Sequence, residues 1–321
     1  MPEVVISVYN LLMKTLLLAF LFAASLQNTS LASADCAQNR SEFLKRNTAL
    51  YEEYSKIDSK QIMTDKKKAL WIEGNPKVNK ALFIAHGYMG SPSEMLFLAQ
   101  PFIKKGWSVV GFLIPGHGST YEIANQYKNT RWVEEFKTQL ELATSCFNEV
   151  RGIGFSTGGL LFHHYALTNT IPASLKSLHL VSPFFIQRFG GLFDRILGFF
   201  VNGISVDTAY LLTKFRDLKV MTIDRENYHQ NIPVDSGLQV KELGQKVFEM
   251  NNNTQIKIPV QVFLSEGDWT VDTDVTKQVM NRDYEEVQLV WYKGSEPHHL
   301  MVPSVSKVAG EVQRLIFSFE K

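Results

Sequence analysis

Ser156 stands in Gly154-Phe155-Ser156-Thr157-Gly158, a G-x-S-x-G pattern, with Gly152 before it and Gly159 after it. A hydroxyl is a weak nucleophile at its free pKa. It needs a neighbouring base, and the base needs an acid to hold it. The chemistry open to such a serine is acyl transfer. The glycines fit a nucleophile elbow, a sharp strand-to-helix turn where side chains two residues from the serine would clash. The pattern arises by chance in about one chain in ten of this length. The base, the acid and the oxyanion donors must therefore be sought elsewhere in the chain.

On an elbow the chain order is Ser, then Asp, then His. His86 and His117 sit in His-Gly turns, and His163 and His164 follow the serine along its own helix. His179 lies within a strand and His229 in an insertion. Only His298 and His299, in SEPHHLMV, follow the last strand. The base is one of these two. Pro297 stiffens the exit from the strand and makes His298 the preferred base, with His299 as the alternative. In an extended loop the second ring points the other way and is expected to be partly exposed.

The acid belongs at the C-terminal end of the preceding strand. VQVFLSEGDWTVD offers Glu266, Asp268 and Asp272. Asp268 is preferred because it follows Gly267 in a tight turn, and Asp272 reads as the N-cap of the next helix. The oxyanion of an acyl-transfer step needs two backbone donors. Thr157, the residue after the nucleophile, supplies one N–H. Tyr88 supplies the other, from FIAHGYMG, where Gly87 lets the backbone approach closely.

The elements that must carry these residues follow a βα rhythm. ALFIAH, SVVGFLIP, RGIGFS, SLHLVS, IPVQVFLSEGD and VQLVWYKGS read as short buried strands. Between them lie amphipathic helices, such as the one marked by Val133, Phe136, Leu140, Ala143 and Phe147 at spacings of three and four. The pattern predicts an α/β fold with a mostly parallel sheet covered on both faces. The rhythm breaks at 184–255, which reads as an inserted helical cap opening on the aromatic stretch FFIQRFGGLFDRILGFF. The expected organisation is a signal peptide at 1–34, a surface helical extension at 35–66, a core at 67–183 and 256–321, and the cap at 184–255.

The start of the chain carries its own signal. From Met13, Lys14 is a positive n-region, Thr15–Leu26 an apolar stretch and Ala32-Ser33-Ala34 a cleavage site. Met13 is read as the true start and the protein as secreted or periplasmic after cleavage near Ala34. The alternative is an N-terminal membrane anchor. Export would place the two cysteines, Cys36 and Cys146, in an oxidising compartment, where a disulfide between them is expected. The net charge of +1 gives no footprint for nucleic acid. No metal-ligand spacing is present, and no cofactor is implied.

HGYMGSPSEM, IPGHGST, GFSTGG, GDWTVD and PHHLM, in this order, resemble the α/β-hydrolase superfamily, most of all the bacterial carboxylesterase and monoacylglycerol lipase group. The similarity covers roughly residues 67–321. It implies an α/β-hydrolase fold with a cap, and serine esterase chemistry on a small-molecule or lipid ester. It carries the nucleophile to Ser156, the acid to Asp268, the oxyanion donors to Tyr88 and Thr157, and the base to His298 or His299. An apolar cap would suit acyl chains, such as those of acylglycerols or lysophospholipids, with transient contact to a lipid surface. A thioester, amide or peptide substrate on the same triad is the alternative, and a non-catalytic binding protein of this fold is a more distant one.

Overall fold

The computed structural model describes residues 36–59, 63–188, 205–207, 228, 231–250 and 255–319. The stretch read as a signal peptide lies outside these residues. Among the described residues no helix is long and apolar enough to cross a membrane.

A helix, α1, runs through 36–57. The central sheet then assembles from β1 (Leu70–Ile72), β2 (Lys80–Ala85), β3 (Ser108–Phe112), β4 (Glu149–Phe155), β5 (Leu175–Val181), β8 (Val260–Ser265) and β9 (Val287–Tyr292). Its order is β1-β3-β2-β4-β5-β8-β9. Only β1 is antiparallel, to β3; the other pairs are parallel. The covering helices are α2 (Leu96–Lys104), α4 (Asn129–Cys146), α5 (Thr157–Thr168), α7 (Thr273–Asp283) and α8 (Ala309–Phe317), with a single turn, α3, at Tyr121–Ala124.

The central strands are mostly apolar at successive positions because both sheet faces are covered. In β2, Ala81, Phe83 and Ala85 enter one core with Phe136 and Phe162, while Leu82 and Ile84 enter the other with Leu98, Phe102 and Ile316. The chain leaves β2 towards β3 on one side, then returns to lay β4 on the other. That reversal makes the C-terminal ends of β2 and β4 the switch point of the sheet, where open α/β sheets place their sites. Ala85 pairs with Gly154 there, so the loop after β2 and the turn after β4 leave the sheet side by side.

Two expectations need revision. Helix α1 is more than a surface extension. Phe43, Leu50 and Tyr54 are buried in the core, the Phe43 ring meets Trp71 of β1 at 5.3 Å, and the Tyr54 hydroxyl accepts the Gly116 N–H at 2.6 Å. Its first residue, Cys36, is disulfide-bonded to Cys146 at the end of α4. The insertion is not purely helical either. It contains a short antiparallel pair, β6 (Ser205–Asp207) with β7 (Asn231–Pro233), before the helix α6 (Val234–Glu249). Of the aromatic stretch from 184, Phe184 and Phe185 are buried in the main core; residues 189–200 lie outside the described ones.

Candidate active site

β4 ends at Phe155 and α5 begins at Thr157, leaving Ser156 alone at the turn. Its backbone has φ 49° and ψ −112°. A non-glycine residue there is strained, by about 1–3 kcal/mol. The turn is held from both sides: the Ser156 N–H donates to Val181 O at 3.0 Å, and the Ser156 carbonyl accepts from Leu160 N at 3.0 Å and Phe184 N at 3.2 Å. Two glycines make the approach possible. A Cβ on Gly154 would lie 2.8 Å from the Gly158 backbone, and one on Gly158 would lie 2.1 Å from the Ala85 carbonyl oxygen. Helix α5 can thus press its N-terminus into the angle between β2 and β4. Thr157 is its first residue, and its N–H belongs to the set without an intrahelical partner.

The three candidate acids separate by what they touch. Asp272 caps α7, accepting from Asp274 N at 3.1 Å and Val275 N at 3.0 Å. The Glu266 carboxylate accepts the Gly294 N–H at 3.0 Å. Asp268 is fully buried. One of its carboxylate oxygens accepts from Thr270 N at 2.8 Å and Val271 N at 3.1 Å. The other lies 2.7 Å from His298 Nδ1. That contact places a proton on Nδ1 and leaves Nε2 as the ring's acceptor. The His298 carbonyl is held in turn by the Ser182 hydroxyl, at 3.0 Å.

His299 is placed otherwise than the extended-loop argument predicts. Leu300 N bonds back to His298 O at 2.9 Å, so the chain turns tightly at the pair instead of running extended. Both rings therefore pack on the Phe155 ring, each at 5.0 Å. His299 is only 5% exposed. Burial, and next the adjacent His298, hold its imidazole well below the usual histidine range. It makes no contact with Asp268 that would orient it as a base.

The loop after β2 carries Tyr88, and its geometry rests on the His86 side chain, to which the sequence assigns no role. His86 Nε2 accepts the Ile114 N–H at 3.0 Å. Its proton is thereby on Nδ1, which donates to Gly87 O at 2.8 Å. Gly90 N donates to the same oxygen at 3.1 Å. The Gly87 carbonyl and the Tyr88 N–H belong to one planar peptide and point in opposite directions. Pinning the carbonyl from two sides fixes where the Tyr88 N–H points. Ile114 lies 28 residues from His86 in sequence, which is why no local signal gives His86 this part. The Tyr88 hydroxyl reaches across to Pro233 O at the start of α6.

Among the described residues no group of His, Cys, Asp and Glu is placed to hold a metal ion. Two further buried histidines are built into the scaffold. His163 bonds Asp283 at 2.9 Å, and His179 bonds Gln261 at 3.0 Å and Ser177 at 3.1 Å.

Solved structures with the same fold include one from work on LipS and LipT, two metagenome-derived lipolytic enzymes. It shares 18% identity at a TM-score of 0.62, covering 80% of this chain and 98% of that one. A soluble variant of monoglyceride lipase from Saccharomyces cerevisiae, bound to a substrate analogue, has 14% identity and a TM-score of 0.62 over 78% of this chain and 88% of that one. A thioesterase domain from the curacin biosynthetic pathway has 14% identity and a TM-score of 0.52 over 81% and 98%. Comparison with curated protein sequences gave no match. The family described as serine aminopeptidase, S33, matches residues 76–302, a span that holds the elbow, the loop after β2, Asp268 and the histidine pair. The chain therefore belongs to the serine aminopeptidase S33 family, on the α/β-hydrolase fold.

Proposed function

We propose that the protein is a serine hydrolase that cleaves carboxylic esters through an acyl-enzyme. The observation that carries the reading is the 2.7 Å bond between His298 Nδ1 and a buried Asp268, on a histidine packed against the residue before the strained Ser156. In this mechanism His298 Nε2 takes the Ser156 proton as Oγ attacks the ester carbonyl. The carbonyl oxygen becomes an oxyanion facing the Tyr88 and Thr157 N–H groups, each worth about 2.7–4 kcal/mol in the transition state. The tetrahedral intermediate collapses, and His298 returns the proton to the departing alkoxide. Water then attacks the acyl-enzyme with His298 again as base, releasing the acid and free Ser156. Asp268 keeps the ring in the productive tautomer throughout.

The family name and the thioesterase neighbour point to a second reading, amide or thioester cleavage. An aminopeptidase holds its substrate's ammonium group with a carboxylate. Among the described residues, the carboxylates buried at this site, Glu94 and Asp268, are both engaged by protein hydrogen-bond donors, which favours the ester. The acyl group we assign to an acylglycerol or lysophospholipid-like ester. The location we assign is outside the cytoplasm, on the strength of the Cys36–Cys146 bond and the leader-like sequence before it.

Fluorophosphonate labelling followed by kcat/KM on esters of graded chain length, beside aminoacyl amides and thioesters, tests the proposal. Ser156→Ala is expected to lose labelling and to lower kcat by a factor on the order of 10⁶. Substantial turnover by the purified variant, or a preference for aminoacyl amides in the unaltered enzyme, would overturn it.

A further inference from the structure

Glu94 is an acid in a place where acids are rare. It sits in a 3-10 turn, Pro92–Met95, between β2 and α2, and is 7% exposed. A buried carboxylate must be hydrogen-bonded to persist. One oxygen of Glu94 accepts the Gly87 N–H at 2.7 Å. The other accepts from the hydroxyl of Tyr228, which reaches in from between β6 and β7. The loop is wrapped closely around this group. A Cβ on Gly90 would lie 2.5 Å from the same carboxylate oxygen that Gly87 donates to.

The consequence concerns both peptide planes of Gly87. Its carbonyl is pinned by His86 and Gly90, as described above. Its N–H, in the preceding peptide, is pinned by Glu94. With both planes fixed, the residue has no remaining freedom to rotate the Tyr88 N–H out of line. Tyr228 extends the arrangement to the other half of the site. Its ring meets His299 edge to face at 5.9 Å and 75°, and His299 lies beside His298 with ring centroids 5.4 Å apart. The Lys67 ammonium donates to the Tyr228 carbonyl at 3.4 Å.

We propose that Glu94 is a positioning residue for the oxyanion donor at Tyr88, and that the Tyr228 hydroxyl, by holding the Glu94 carboxylate, ties the inserted segment to that donor. The proposal rests on the acyl-enzyme reading above. Charge-assisted bonds from a carboxylate are about twice as strong as neutral ones, so an amide at 94 keeps the geometry with a weaker hold. Alanine leaves a buried N–H without its acceptor. Tyr228→Phe removes the hydroxyl that donates to the Glu94 carboxylate.

Glu94→Ala, Glu94→Gln and Tyr228→Phe in the full chain test this, with kcat and KM on a medium-chain p-nitrophenyl ester and the affinity for phenylboronic acid as readouts. Boronate forms a tetrahedral adduct on the serine and reports the donor geometry. Glu94→Ala is expected to lower kcat about 10–100-fold, short of the loss of a whole donor. KM should stay within about threefold, and boronate affinity should fall in step with kcat. Glu94→Gln should recover most of the loss, and Tyr228→Phe should cost about 5–10-fold in kcat, on the same scale. If Glu94→Ala does not fold, the other two variants carry the test. Retention of kcat and boronate affinity within about twofold by both overturns the proposal while the enzyme remains an esterase. So does a loss confined to thermal stability. If the unaltered enzyme neither reacts with fluorophosphonate nor cleaves esters, the acyl-enzyme reading fails first, and the positioning role falls with it.

Discussion

His298 and His299 are the same side chain one residue apart, and their surroundings give them different work. His298 has an acid at 2.7 Å on Nδ1. His299 has aromatic neighbours, and its Nδ1 is buried without a hydrogen-bond partner among the described residues. His298→Ala is expected to approach Ser156→Ala in its loss of kcat, because in the proposed mechanism nucleophile and base act as a unit. His299→Phe keeps a ring in the same space and is expected to stay within about tenfold of the parent in kcat on the same scale. Steady-state kinetics of the two purified variants decides it, and the opposite ranking moves the base to His299. The sequence narrows the base to this pair because only two histidines follow the last strand. It misses the turn that folds both rings onto Phe155, since that turn is imposed by contacts with Ser182 and the β4 end. It also misses His86, whose acceptor role appears only once Ile114 is brought beside it.

The elements were legible where burial is complete. β2 and β3 are apolar after their first residue, as a two-sided parallel sheet requires; β4, β5 and β8 remain mostly apolar although Arg151, Lys176, His179 and Gln261 interrupt them. Legibility failed where an element is short or docks through a few residues. β6 and β7 have three residues each, too few to show a period. In α1 the buried Phe43, Asn47, Leu50 and Tyr54 recur at helical spacing, but the stripe is narrow, holds a polar Asn47 and is flanked by charged residues, so the helix looks solvated until its partners are present. Its hold on the core is partly covalent. The Cys36–Cys146 bond closes a span of 110 residues, and removing it by the double substitution to serine is expected to cost about 2–4 kcal/mol. Urea denaturation of the two proteins measures this. Equal midpoints would mean that the packing of Phe43 and Tyr54 alone holds α1.

Across the whole molecule the buried histidines set a limit on acid tolerance. Burial is the first cause that lowers the pKa of His86, His117, His163, His164, His179 and His299, with His117 and His164 brought to about 4 and His179 to about 3. Held below the usual histidine range, these groups bind fewer protons in the native state than in the unfolded chain, where they take up protons below about pH 6.5. The unfolded state then binds more protons, so stability falls as pH falls through that range. Each histidine adds up to about 1.4 kcal/mol per pH unit to the slope. The loss should begin near about pH 6.5, above the range in which carboxylates protonate. Denaturation midpoints at pH 7.5, 6.5, 5.5 and 5.0 check this, and a flat profile to pH 5.0 would refute it.

The dihedral at Ser156 sets catalysis against folding free energy. The φ of 49° is one that glycine adopts without cost and serine does not. Relief of about 1–3 kcal/mol of strain, less about 0.4–1 kcal/mol for the greater freedom of unfolded glycine, leaves Ser156→Gly more stable than Ser156→Ala by about 1 kcal/mol. Both variants lack the hydroxyl, so their comparison isolates the backbone. Matched denaturation midpoints would show that the surrounding hydrogen bonds already absorb the strain. A higher midpoint for glycine would mean that this fold gives up stability at one residue to hold a hydroxyl at the turn, and that selection for stability alone would remove the serine.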